Sequence, residues 1–377
     1  MAATIKDVAL RAGVSIASVS RALNGTGVVT DQTRQRIQKA AKQLRYTPHQ
    51  AARSLITRRT RTIGVLLPDI HGEYFSELIR GIDRGARTLG LHLLVSSSHG
   101  DADEASLALR AMNGRVDGVL IMSPHVDAEL IERSLPETLP TVLMNTPAHS
   151  GLAPTFLTDN YGGARAMIEH LRSLGYQRIA HITGPKSNFE SRERLRGFRA
   201  ALGRADTAKS LVVNGNFTEE SGYLAGREIA AASPRPDAVF AGNDMMAIGC
   251  LFALTEAGLR VPHDIALAGF DDIPIARFVT PPLTTVRAQT TELGRQALEE
   301  LARAIEDPAS AKRTQHLLTT QLVIRASCAN PALVGSGSAG SERRDQEELV
   351  KARTKHKFQT RRSLGSRGGT RAAAWLA

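Results

Sequence analysis

The feature that most restricts this chain is a recurring alternation from Thr62 onward. Short runs that are apolar on both faces are separated by helix-length amphipathic stretches. Ile63-Gly64-Val65-Leu66-Leu67 reads as a buried strand. Residues 74–89 follow as a helix with Phe75, Leu78, Ile82 and Leu89 at helical spacing. Leu91–Ser96, Gly118–Met122 and Thr141–Met144 read as further strands. A second series follows at Ile179–Ile182, Ala238–Ala241 and Ile265–Gly269. A strand apolar on both faces must be covered on both, which calls for parallel sheets flanked by helices. Two such series predict an α/β body of two lobes with a cleft between them. Ligands in such folds sit beyond the carboxyl ends of the strands.

The first sixty residues have a different pattern. Thr4 is a candidate N-cap with Asp7 three residues on, a variant of the capping box. Val8, Ala9 and Ala12 line one helix face, and Gly13 supplies the left-handed residue that ends the helix. Ser15 caps a second helix from about Ile16 to Leu23, stopped by Asn24-Gly25. A third runs from about Asp31 to Leu44, with Ile37, Ala40, Ala41 and Leu44 on one side. This is a helix-turn-helix with a supporting helix. Its second helix presents Ser15, Ile16, Ala17 and Ser18 at the front, while Val19 and Leu23 turn inward. Small residues there let a helix approach base edges and thymine methyls in a major groove, and Arg21 can reach guanine or phosphate. The competing reading is a three-helix bundle with an incidental basic surface.

Charge separates the two parts. Residues 1–62 carry twelve Lys/Arg against two acids, a net +10. Residues 329–377 carry +6, and the middle, 63–328, carries −5. A basic head on a mildly acidic body implies that the head meets a polyanion. Between them, Tyr46-Thr47-Pro48 to Thr57 reads as a helix too short to persist alone, followed by Arg58, Arg59 and Arg61; the plain alternative is a solvated linker. The two cysteines, Cys250 and Cys328, exclude a disulfide framework and a four-cysteine zinc site. No apolar run of signal-peptide or membrane-spanning length occurs, so a cytoplasmic protein with no membrane partner is expected.

Several motifs in order carry a resemblance. Thr4-Ile5-Lys6-Asp7-Val8-Ala9, Gly13-Val14-Ser15, Ser18-Val19-Ser20-Arg21 with Leu23-Asn24, and Ala52-Arg53-Ser54-Leu55 resemble the lactose repressor (LacI) family, and its purine and cytidine repressor branches in particular. The likeness extends over about residues 3–328. It implies a DNA-binding head (1–47), a hinge (48–61) and an effector-binding and dimerisation body (62–328) similar to a type I periplasmic sugar-binding protein; the basic tail (329–377) lies beyond it. It implies a homodimer on a pseudopalindromic double-stranded operator. DNA contacts carry over onto Thr4, Ser15, Ile16, Ala17, Ser18, Ser20, Arg21, Asn24, Tyr46, Arg53 and Leu55, with Leu55 wedged into the minor groove. Effector contacts carry over onto Tyr74, Phe75, Asn145, Asn188, Arg194, Phe217, Asn243 and Asp271. Any one of these could instead be a helix cap or a core residue, and Asp272 reads as a cap or hinge group.

The segment Lys186-Ser187-Asn188-Phe189-Glu190 departs from the purine repressor's pattern, so a carbohydrate or polyol is the expected effector, with a purine or nucleoside next. Sugar-responsive members are usually induced, which implies release from DNA by ligand. No Walker loop, dinucleotide fingerprint, nucleophile elbow or clustered histidine set appears, so neither catalysis nor a cofactor is expected. A solute-binding protein without regulatory role is the alternative, and the basic head argues against it. The tail lacks a leucine heptad and reads as disordered, either a nonspecific DNA arm or a functionless extension.

Overall fold

The computed structural model describes residues 3–24, 28–46, 59–125, 133–136, 138–146, 153–308 and 314–328. Most of the expected hinge, with Arg53 and Leu55, and the whole tail lie outside the described residues.

The head consists of α1 (Ile5–Ala12), α2 (Ile16–Asn24) and α3 (Asp31–Gln43). Both halves of the capping box form at α1: Asp7 N–H donates to Thr4 Oγ1, and the Asp7 carboxylate accepts from Thr4 N at 2.8 Å. Gly13 sits at φ 62° and ends the helix. Ser15 Oγ accepts from Ser18 N at 3.1 Å, capping α2. Val8, Val19 and Ile37 are wholly buried among Ala9, Ala12, Ala22, Ala40 and Ala41. Leu44 caps α3 rather than extending it.

The body has two parallel sheets. Lobe one contains β1 (Thr62–Leu67), β2 (His92–Ser97), β3 (Gly118–Met122), β4 (Thr141–Met144) and β5 (Thr155–Thr158), with α4 (Glu73–Thr88) and α5 (Ala102–Met112). Lobe two contains α6 (Asn160–Ser173), β6 (Ile179–Thr183), α7 (Phe189–Thr207, broken at Gly203), β7 (Val212–Asn214), α8 (Glu219–Ala231), β8 (Ala238–Ala241), α9 (Asp244–Glu256) and β9 (Ala266–Ala268). After β10 (Thr285–Arg287) the chain returns to lobe one as α10 (Thr290–Glu306) and β11 (Gln315–Leu318). It then crosses again to β12 (Gln321–Val323), which pairs antiparallel with β10. The sheet orders are β11-β5-β4-β3-β1-β2 and β7-β6-β8-β9. The chain thus passes between the lobes after β5, β10 and β11, and β11 and α10 complete a lobe begun more than two hundred residues earlier.

The structure corrects two expectations. The second strand is not buried on both faces: β2 is an edge strand, with Leu94 and Val95 each 37% exposed. Leu89 is not on the packed face of α4 but caps its C-terminus, half exposed. Five strands escape the apolar-run criterion. β7, β10 and β12 have three residues each, and β5 (TFLT) and β11 (QHLL) mix polar with apolar residues.

Candidate functional site

The carboxyl ends of β1, β3, β6, β7, β8 and β9 face a cavity of about 280 Å³ between the lobes. The first turn of α4 contributes Tyr74 and Phe75, whose rings meet edge to face at 5.3 Å. From lobe two come Asn188, Glu190 and Arg194 of α7, then Phe217, Asn243 and Asp271. Seven of the eight expected effector positions therefore line one cavity. Asn145 does not. It is fully buried behind the wall, and its amide is committed: Nδ2 donates to Tyr74 Oη at 3.0 Å and to Glu190 Oε1 at 2.9 Å, and Oδ1 accepts from Thr158 N at 2.8 Å. It holds contact groups from both lobes in position.

Arg194 is the centre of the polar floor. Glu190 lies one helical turn before it, so both side chains leave the same face of α7. Arg194 Nη2 is 3.2 Å from Asp271 Oδ1 and 3.7 Å from Glu190 Oε1, with all three side chains at most 8% exposed. Nε donates to Asn160 Oδ1 at 2.8 Å, Nη1 donates to Gly242 O, and the guanidinium lies 3.9 Å over the Phe270 ring. One cation thus faces two buried carboxylates. Burial pushes Asp271 up to about 7, against the pull of Arg194 and with the repulsion of Glu190. Burial raises Glu190 too, while Arg194 draws it down, and burial lifts Tyr74 well above its ordinary range. Asp271 Oδ1 has no hydrogen bond aligned with it.

Backbone strain gathers here. Asn145 (φ 43°), Phe217 (φ 73°) and Asp271 (φ 113°) all occupy positive φ without being glycine. Such conformations cost of order 1–3 kcal/mol each and mark places that the surrounding structure over-determines. Asn243 explains one of them: its Nδ2 donates to Phe217 O at 2.9 Å while its Oδ1 caps α9 through Met246 N. Gly184 explains the ring's position, since a Cβ there would sit 2.2 Å from Phe217 Cζ. Asp272, the neighbour of Asp271, accepts from Arg287 Nε at 2.7 Å and Arg325 Nη2 at 2.6 Å, on the connecting segments, and so belongs to the hinge between lobes.

His71, His99, His125 and Met245 also line this cavity. Nothing at these positions in the sequence signals it. Gly184-Pro185 after β6 is a turn signal, but not one that reports the ring resting on it.

In the head, Thr4, Ser15, Ile16, Ala17 and Arg21 are exposed, and Ser18, Ser20 and Tyr46 are half-buried. Ile16 leaves 44% of its surface in solvent at the front of α2. Asn24 is the last residue of α2.

Comparison with known proteins gives these two parts a common identity. Residues 4–49 match the bacterial regulatory proteins of the lacI family, and residues 168–328 match the periplasmic binding protein-like domain. The ribose operon repressor of Escherichia coli (strain K12) is 38% identical over 311 residues, 81% of this chain and 94% of that one. The HTH-type transcriptional repressor PurR of Edwardsiella ictaluri is 39% identical over 306 residues, 79% of this chain and 89% of that one. Among solved structures, the Lac repressor dimer bound to operator and the anti-inducer ONPF superposes with a TM-score of 0.78 at 28% identity, covering 87% of this chain and 99% of that one. A LacI family regulator from Enterococcus faecium with bound ribose gives 0.64 at 27% identity, covering 71% and 99%. The chain is a helix-turn-helix transcriptional regulator with an effector-binding body. It belongs to the LacI family. Among the described residues, no helix is long and apolar enough to cross a membrane.

Proposed function

We propose that this chain is a cytoplasmic repressor that binds a pseudopalindromic operator as a homodimer, and that ribose or a closely related pentose is the effector that releases it. It acts by binding and not by catalysis. The observation that carries the effector class is the buried Arg194–Asp271–Glu190 cluster at the floor of a small cavity. A sugar hydroxyl both donates and accepts. A guanidinium beside carboxylates meets both needs at once, and charged partners make the stronger bonds. Phe217, Tyr74 and Phe75 offer apolar faces for the ring carbons. A volume of about 280 Å³ is at the small end of ligand pockets and has room for a monosaccharide. The ribose operon repressor among the relatives and the ribose-bound regulator among the structural neighbours support the same class.

At the DNA, the exposed Ser15, Ile16, Ala17 and Arg21 read the major groove, with Thr4, Ser18, Ser20, Asn24 and Tyr46 beside them. Arg53 and Leu55 act from the hinge. Residues 1–47 bind DNA, 48–61 transmit, and 62–328 bind effector and dimerise.

The test is a calorimetric panel on the full-length chain: pentoses, hexoses, sugar phosphates, purine bases and nucleosides. Ribose should bind and lower operator affinity. Asp271→Asn should weaken ribose binding about 10–150-fold, the equivalent of one charged hydrogen bond at about 1.5–3 kcal/mol. Binding by a purine and by no sugar would overturn the effector class. Operator affinity indifferent to every ligand that binds would overturn the regulatory reading in favour of a plain solute binder.

A further inference from the structure

The mouth of the cleft is closed by contacts separate from the polar floor. Pro124 and His125 follow β3 in lobe one; Ser187, Asn188 and Phe189 open α7 in lobe two. Phe189 N donates to Pro124 O at 3.1 Å. On either side of the His125 ring, Nδ1 lies 3.1 Å from Ser187 Oγ and Nε2 lies 3.3 Å from Asn188 Nδ2. The ring lines the cavity and is partly buried.

The protonation state follows from the cap. Asn188 Oδ1 accepts from Ser191 N at 2.9 Å as the N-cap of α7, which fixes the amide's orientation. Its Nδ2 must then face the ring, and an amide nitrogen only donates. Nε2 is therefore the acceptor, the proton is on Nδ1, and Nδ1–H donates to Ser187 Oγ. An imidazolium has no acceptor at all. Protonation would set Nε2–H against the Asn188 amide hydrogens, and flipping that amide would uncap the helix.

We propose that His125 is a positioning residue for effector binding: its neutral ring clasps the two lobes at the cleft mouth and so sets how firmly the closed pocket retains its ligand. The proposal rests on reading the cavity as the effector site. Charged groups of both signs surround the cavity, with Asp69 and Glu219 also on its lining, and Arg192 is the one whose charge acts on the ring. On α7, Arg192 donates to Lys186 O and Ser187 O, bringing a second cation to the turn that faces the ring. On the lobe-one side, Gly100 packs near the ring, with His99 beside it, 3.9 Å from Glu104. Burial, and then Arg192, hold the His125 pKa below its ordinary value, so the clasp favours the neutral ring. Below the clasp, Glu190, Arg194 and Asp271 share the cavity, and Asp271 itself titrates near neutrality. Only the difference between wild type and a His125 variant isolates the clasp.

The experiment uses the full-length chain without effector. Both native cysteines are buried, so Leu107→Cys in lobe one and Lys209→Cys in lobe two, both at exposed positions, accept a fluorescent donor–acceptor pair. Interlobe distance is followed from pH 8 to 5.5. Wild type should open as the pH falls, His125→Ala should be open throughout, and His125→Gln, neutral and still able to accept, should stay closed without the pH step. Ribose affinity should then fall up to about tenfold more in wild type than in His125→Gln between pH 7.5 and 5.5. A wild-type distance that ignores pH, or the same step in His125→Gln, would overturn the clasp. Failure of ribose to bind any variant would count against the pentose reading alone, because the distance measurement still decides the role of His125.

Discussion

Removing the central cation should expose how the pocket floor is balanced. Arg194→Met keeps the bulk and the packing over Phe270 but leaves Asp271 and Glu190, with side chains 5% and 8% exposed, without a counter-charge. Stranding one member of a buried ion pair costs about 3–5 kcal/mol. The pH dependence has a definite sign. A carboxylate whose folded pKa lies above its unfolded value takes up protons on folding, so stability is lost as pH rises through the folded value. Asp271 already sits at about 7 with Arg194 in place, and Glu190 is raised as well. Without Arg194 both must rise further. At pH 8 the variant should therefore carry the full deficit. At pH 5.5 Asp271 is neutral and Glu190 is drawn toward its neutral form, so the deficit should shrink toward the lost bonding to Asn160 and Gly242, about 1–3 kcal/mol. Urea unfolding of the full chain, followed by far-ultraviolet circular dichroism at both pH values, measures this against wild type. Arg194→Met with Glu190→Gln and Asp271→Asn should recover most of the pH 8 loss. A deficit equal at both pH values, or a triple variant no more stable than the single one, would refute the reasoning. A simple loss of effector response in an Arg194 variant would not, because Arg194 also holds the second lobe together.

His181 lies between Phe198 and Phe240, with ring centroids 4.8 and 4.9 Å away, and burial pushes it down to about 4. A histidine with a depressed folded pKa stabilises above its unfolded value, and that contribution is lost as pH falls from about 6.5 to 4. The loss should approach 3 kcal/mol and vanish in His181→Leu, as read by urea midpoints. Gly184→Ala should push the Phe217 ring out of place and weaken effector binding at least tenfold with little change in operator affinity, measured by calorimetry and fluorescence anisotropy. Operator binding should fall steeply with salt as phosphates are neutralised by the basic head. Replacing Ile16 and Ala17 together should change the consensus selected from random DNA, each good base contact being worth about 1–3 kcal/mol.

What the sequence reveals here is what one element can reveal about itself. The Thr4–Asp7 capping box, the Gly13 stop and the buried strands of both lobes are local, and each left its period or its cap in the chain. Effector positions could be listed because the resemblance to the LacI family carries them over, onto strand ends where parallel sheets put their ligands. Their roles could not be read, since roles depend on what stands opposite. Asn145 and Asp271 look alike as polar residues after strands. Yet Asn145 is saturated by Tyr74, Glu190 and Thr158 behind the wall, while Asp271 lines the cavity beside Arg194. Likewise the pairing of His125 with Asn188 spans 63 residues and two lobes, with no periodicity to announce it. The edge position of β2 was hidden for the same reason: nothing in Leu93-Leu94-Val95 says whether another strand lies beside it.

The return of α10 and β11 to lobe one delays the half that emerges first during translation. Lobe one's own first segment ends at β5, Thr155–Thr158, but its sheet is incomplete until β11, Gln315–Leu318, has been made. At about 5–20 residues per second, that interval lasts roughly 10–30 s. Through it, the faces of β3 to β5 that α10 will cover have no partner. The lobe that emerges first therefore stays incomplete while the second lobe builds its β6–β9 sheet, and a nascent chain stalled short of α10 would present that uncovered sheet to chaperones while its second lobe had already packed most of its strands.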